Sequence, residues 1–125
     1  MQKKKILLVE DDRSLQLALR YFLEDLGYEI VVAEDHAQAA RVMGDGPYDA
    51  AIVDYFLGDI PSSQLIAELQ RRHPRMPLVC STAASVHQIL IEDGSQPPTA
   101  YLFKPFGVDE LRSMLESLIV GASRK

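Results

Sequence analysis

Short apolar runs rich in β-branched residues recur along the chain at positions 6–9, 30–33, 50–53, 78–81 and 100–103. None alternates apolar with polar residues, which is the pattern of strands buried on both faces of a parallel sheet. Between the runs the apolar positions take helical spacing. Leu15, Ala18, Leu19, Phe22 and Leu26 fall on one helix face, with Asp12 as N-cap and Gly27 as the C-terminal stop. Ala39, Ala40 and Met43 mark a weaker second helix that stops at Gly44, and Leu65, Ile66 and Leu69 a third that stops near Pro74. Val86, Ile89 and Leu90 mark a fourth that stops at Gly94. Leu111, Met114, Leu115, Leu118 and Ile119 mark a fifth, the most regular, ending near Val120. Strands that alternate with helices predict an α/β protein: a five-stranded parallel sheet, doubly wound as a (βα)5 three-layer sandwich with right-handed crossovers. Ligands in such folds sit beyond the carboxyl ends of the strands, where the strand order reverses.

Those carboxyl ends carry chemistry. Glu10, Asp11 and Asp12 follow the first run, Asp54 follows the third, Ser81 and Thr82 come after the fourth strand, and Lys104 and Pro105 follow the fifth. If the first and third strands are neighbours, three carboxylates converge. Two bare charges about 6 Å apart repel by roughly 3 kcal/mol at an effective dielectric near 20, so the cluster calls for a cation or shifted pKa values. An all-oxygen, carboxylate-rich donor set suits Mg²⁺ or Mn²⁺, and without His or Cys it does not suit zinc. Each residue alone has an ordinary role: Asp12 as a helix cap, Asp54 as a turn residue, Lys104 as a solvated loop lysine, Thr82 as another cap. Their joint placement at four strand ends is what points to a site.

The composition narrows the class. A chain of 125 residues, 47% hydrophobic and 25% charged, fits one globular domain. Residues 1–125 are read as that single domain, with a core of about 4–120 and 121–125 as a terminal tail or the start of a linker. The formal net charge of −5 argues against nucleic acid as a partner of this chain. The apolar runs are too short to span a membrane, and the N-terminus lacks the pattern of a signal peptide. The single Cys80 cannot pair within the chain, which fits a reducing cytoplasm. It is read as a small core residue. His36, His73 and His87 do not cluster and are read as surface residues.

Taken together, ILLVEDD at 6–12, IVDYFL at 52–57, CSTA at 80–83 and YLFKPF at 101–106 resemble the receiver domain of response regulators in two-component signalling, over essentially the whole chain. The spacings agree: 43 residues separate Asp11 from Asp54 and 22 separate Thr82 from Lys104. The resemblance implies a flavodoxin-like strand order 2-1-3-4-5 and makes Asp54 the phosphoryl acceptor. The donor would be a phosphohistidine on a sensor histidine kinase or a phosphotransfer protein. It implies that Glu10, Asp11, Asp54 and the backbone carbonyl of Phe56 hold Mg²⁺ (or Mn²⁺), and that Lys104, before a cis proline, contacts the phosphoryl group. Thr82 becomes the sensor of that group, with Ser81 as a competing candidate, and Tyr101 the switch aromatic. The surface of the fourth helix, fifth strand and fifth helix would then change for an output domain, a downstream protein or a second copy in a homodimer. Phe56 and Ala84 stand where the family tunes hydrolysis. Such a domain is a switch that assists only its own phosphorylation and dephosphorylation.

The pattern is broken in one loop. Gly58 replaces the family's usual proline, Ser62 or Ser63 stands where a glycine is usual, and the interval from Asp54 to Thr82 is slightly short. The alternatives are an Asp- and Mg²⁺-dependent phosphohydrolase, which would carry an acid where Phe56 stands, and a flavin-type nucleotide binder, which would not carry three acids after its first strand. A P-loop is absent from the sequence. A pseudo-receiver acting only as a docking module is opposed by the intact Asp54, Thr82 and Lys104.

Overall fold

The computed structural model describes residues 3–83 and 97–123. The predicted fourth helix, with Ala84 and His87, lies outside the described residues. All five predicted strands form: β1 (Lys5–Val9), β2 (Glu29–Ala33), β3 (Ala50–Asp54), β4 (Leu78–Ala83) and β5 (Ala100–Lys104). They make one sheet in the order β2-β1-β3-β4-β5, every pair parallel. The strand order reverses at β1, which has β2 on one side and β3 on the other. Three strands run slightly past their apolar runs at the carboxyl end, so Asp54, Thr82 and Lys104 lie within strands rather than after them.

Alternate strand residues face opposite sides. On one side Leu7, Val9, Ala51, Val53, Leu78 and Cys80 meet Ala39 of α2 (His36–Val42) and Leu65, Ile66 and Leu69 of α3 (Ser63–Arg72). On the other, Ile6, Leu8, Ile52 and Leu102 meet Leu19 and Leu23 of α1 (Arg13–Asp25) and Leu111, Leu115 and Ile119 of the C-terminal helix (Val108–Ser123). This is the doubly wound three-layer sandwich. Among the described residues, no helix is long and apolar enough to cross a membrane.

Several local expectations need correction. The face of α1 is rotated from the expected one: Gln16, Leu19 and Leu23 are buried, Ala18 is exposed, and Leu26 is 36% exposed. The apolar count could not place Gln16 inside, because a buried amide is tolerated only when it is hydrogen-bonded, as it is here. The helix ends as expected at Gly27, where φ is +101°; the N–H groups of Gly27 and Tyr28 return to the carbonyls of Glu24 and Leu23, the Schellman pattern. Ala40 is exposed, and α2 gives way to a 3₁₀ turn at Met43–Asp45. His36 and His73 are half-buried rather than superficial. The His73 Nε2 lies 3.0 Å from the Met43 carbonyl oxygen and its ring packs edge-on against Tyr48. The C-terminal helix runs to Ser123, beyond the expected end at Val120.

Candidate functional site

The parallel register aligns the carboxyl ends. Val9 lies opposite Val53, Asp54 opposite Ser81, and Ala83 opposite Lys104. Glu10, Asp54 and Lys104 continue the alternation of Leu8, Ile52 and Leu102, so all three belong to the α1 side of the sheet. There the Lys104 Nζ donates to Glu10 Oε1 at 3.1 Å and to Asp54 Oδ2 at 2.9 Å. Glu10 is 2% exposed and Asp54 8%, so the ammonium offsets two largely desolvated carboxylates. Asp11 is exposed, and its Oδ2 accepts the Gly58 N–H at 2.6 Å. One carboxylate oxygen from each of Glu10, Asp11 and Asp54 lies within 4.8 Å of the others. At an effective dielectric near 20, charges that close repel by about 3 kcal/mol or more per pair, and Lys104 neutralises only one. Asp12 keeps its ordinary role: it caps α1, accepting the Leu15 N–H at 3.1 Å.

Electrostatics follow from burial. Desolvation, reinforced by the hydrogen bond and charge of Asp54, pushes the Glu10 carboxyl up to about 7 against the opposing pull of Lys104. Burial draws the Lys104 ammonium down, but the hydrogen bond to Asp54 and the charges of Glu10 and Asp54 outweigh it, and its pKa is raised. Burial, with the charge of Asp54, pushes the Cys80 thiol up to about 12, so it stays protonated and inert.

Two residues to which the sequence assigned no role at the site brace the acids from behind. The buried Gln16 Nε2 donates to the Glu10 carbonyl oxygen at 2.9 Å. Ser62 is fully buried, and its hydroxyl donates to the Asp54 carbonyl oxygen at 2.7 Å while its N–H donates to Tyr55 O at 2.6 Å. Ser62 stands at the N-cap of α3, yet its side chain caps no helix N–H; the hydroxyl serves β3 instead. A glutamine on an apolar helix face was the available signal for the first, and a serine in place of the usual glycine for the second.

Between β3 and α3 the chain makes a two-residue hairpin, Phe56–Leu57 against Ile60–Pro61, turning at Gly58 with φ +64°. Phe56 is 38% exposed and packs edge-on against Tyr55. Its N–H points to Asp54 Oδ1 at a long 3.4 Å. Thr82 is buried, one residue past the partner of Asp54, and its hydroxyl donates to the Ala83 carbonyl oxygen at 3.4 Å. Ser81, directly opposite Asp54, has a buried hydroxyl with no hydrogen-bond partner among the described residues. Tyr101 is half-buried against the α3-side core and stacked with Phe103. The Lys104–Pro105 bond is cis. The structure thus brings Glu10, Asp11, Asp54 and Lys104 together and sets Thr82 and Tyr101 on the neighbouring strands; Ala84 lies outside the described residues. Three hard oxygen donors, with neither imidazole nor thiolate in the cluster, fit Mg²⁺ or Mn²⁺.

The model of the response regulator receiver domain family matches residues 6–116. Among curated proteins, the alginate biosynthesis transcriptional regulatory protein AlgB of Pseudomonas syringae is 32% identical over 108 residues, covering 86% of this chain and 24% of that protein. The transcriptional regulatory protein GlrR of Escherichia coli is 31% identical over 114 residues, 91% of this chain and 26% of that protein. The chain thus spans about a quarter of the length of these relatives. Among solved structures, the receiver domain of sensor histidine kinase PA1611 from Pseudomonas aeruginosa has a magnesium ion coordinated in its active-site cleft. It matches with TM-score 0.78 and 28% identity, over 94% of this chain and 98% of that one. A CheY-like receiver domain protein from Methanospirillum hungatei matches in fold with TM-score 0.84 at 21% identity, over 98% of both chains.

Proposed function

The chain belongs to the response regulator receiver domain family, and from that premise we propose that it is a phosphorylatable switch in which Asp54 accepts the phosphoryl group. The observation that carries the reading is the Lys104 ammonium 2.9 Å from Asp54, in a pocket whose two further acids converge on the same point. Asp54 acts as an oxygen nucleophile and needs no base. Its carboxylate attacks the phosphorus of a phosphohistidine, the P–N bond breaks, the imidazole leaves with the electron pair, and an acyl phosphate forms on Asp54. Lys104 holds the carboxylate and then faces the added negative charge. Glu10, Asp11, Asp54 and the carbonyl of Phe56 would hold Mg²⁺, which when bound supplies positive charge to the phosphoryl oxygens.

The Thr82 hydroxyl, whose present hydrogen bond is long, is free to exchange it for a charged phosphoryl oxygen, a stronger acceptor. That exchange draws in the carboxyl end of β4, and Tyr101 on β5 follows. Phosphorylation biases this equilibrium only by its differential contacts with the two states. The donor is a sensor histidine kinase or phosphotransfer protein. The receiving surface includes β5 and the C-terminal helix and serves an output domain, a downstream protein or a second copy of the chain. Residues 1–125 act as one receiver domain in the cytoplasm, and the domain turns over no second substrate.

Incubation with Mg²⁺ and acetyl phosphate tests this. Intact mass should rise by one phosphoryl group in the parent and not in Asp54→Asn. An unmodified parent, or equal modification of Asp54→Asn, would overturn the assignment.

A further inference from the structure

Glu10 and Asp54 are held in place by burial and by Lys104. Asp11 is exposed, and exposed carboxylates rotate freely unless tied. Its tie comes from 47 residues away, as the Gly58 N–H donating to Oδ2 at 2.6 Å, a short bond of the charge-assisted kind. We propose that Gly58 is a positioning residue for the cation site, its backbone N–H holding Asp11 ready to ligate. The inference rests on reading Glu10, Asp11 and Asp54 as that site.

The residue type suits the turn that presents this donor. Gly58 opens the turn between Phe56–Leu57 and Ile60–Pro61 with φ +64°, and a Cβ there would meet open space. The residue whose N–H meets Asp11 thus sits at positive φ, which favours Gly or Asn. A proline has no N–H and holds φ near −65°, so the residue usual at this place in the family cannot make the bond. The glycine therefore couples the β3–α3 hairpin to a metal ligand, in the way that groups behind a first ligand shell commonly set its affinity.

The test compares Mg²⁺ affinity by calorimetry in the full chain and in Gly58→Asn, Gly58→Pro and Asp11→Ala. Asn accepts the backbone and keeps the donor, so Gly58→Asn should bind nearly as the parent does. Gly58→Pro should bind at least about tenfold more weakly. Because proline could also disturb the hairpin, the contact is read independently from the Gly58 amide proton. That proton should resonate downfield in the parent and move upfield in Asp11→Ala. The proposal is overturned if Gly58→Pro binds as the parent does, if Gly58→Asn loses as much as Gly58→Pro, or if the amide shift ignores Asp11→Ala. A parent that binds no Mg²⁺ removes the site reading itself; a parent that binds, alongside an unaffected Gly58→Pro, removes only the role of Gly58.

Discussion

Lowering the pH from about 8 to about 6 should weaken Mg²⁺ binding about tenfold, through Glu10. Its carboxyl sits near 7 because it is buried beside Asp54. A proton and the cation compete for it, so the apparent dissociation constant is multiplied by about 11 at about pH 6 and about 1.1 at about pH 8. A glutamate at the ordinary 4.5 would change the constant by only about 3% over the same range. Near pH 7 Glu10 is about half protonated, and binding should release about half a proton. Calorimetry on chelator-treated protein at fixed ionic strength gives the affinity, and repeating it in buffers of different ionisation heat counts the proton. Glu10→Gln should bind more weakly and lose the pH dependence. Equal affinity at both pH values would refute the desolvation of Glu10, and a slope surviving in Glu10→Gln would assign the proton to another group. The same shift acts on the metal-free fold. The folded pKa of Glu10 lies above its unfolded value, so its contribution to stability is full below about 4.5 and is lost as the pH rises through about 7.

Lys104→Met leaves Glu10 and Asp54 facing each other without the ammonium. Unfolding by urea at about pH 8 should show a loss of about 2 kcal/mol, below the cost for a fully buried pair because Lys104 is partly exposed, and the loss should shrink below about pH 6 as Glu10 is protonated. Ser62→Ala removes a buried hydrogen bond to the Asp54 carbonyl oxygen and should lower stability by about 1–2 kcal/mol, read from the denaturant midpoint. Neither Phe56 nor Ala84 can orient an attacking water, and Phe56 lies beside Asp54, so the acyl phosphate should be long-lived. Loss of label within seconds in the absence of a phosphatase would contradict that.

The class of fold and the places of its strands were legible in the sequence, because unbroken apolar runs and helical spacing are local signals. Asp54, Lys104 and Glu10 could be named because a parallel sheet brings all its carboxyl ends to one edge. Their mutual contacts could not. Whether the Lys104 ammonium reaches Glu10 across 94 residues, or the Gly58 N–H reaches Asp11 across 47, depends on strand register and the path of a loop. The rotation of α1, which buries Gln16 and exposes Ala18, was likewise settled by a hydrogen bond to the Glu10 carbonyl that no count of apolar residues contains. Ser62 looked like a departure in a loop and proved to brace β3 from within the core. Periodicity decides where strands and helices form and most of what they bury; only the packed chain decides which donor meets which acceptor, since that pairing joins segments that are distant along the chain.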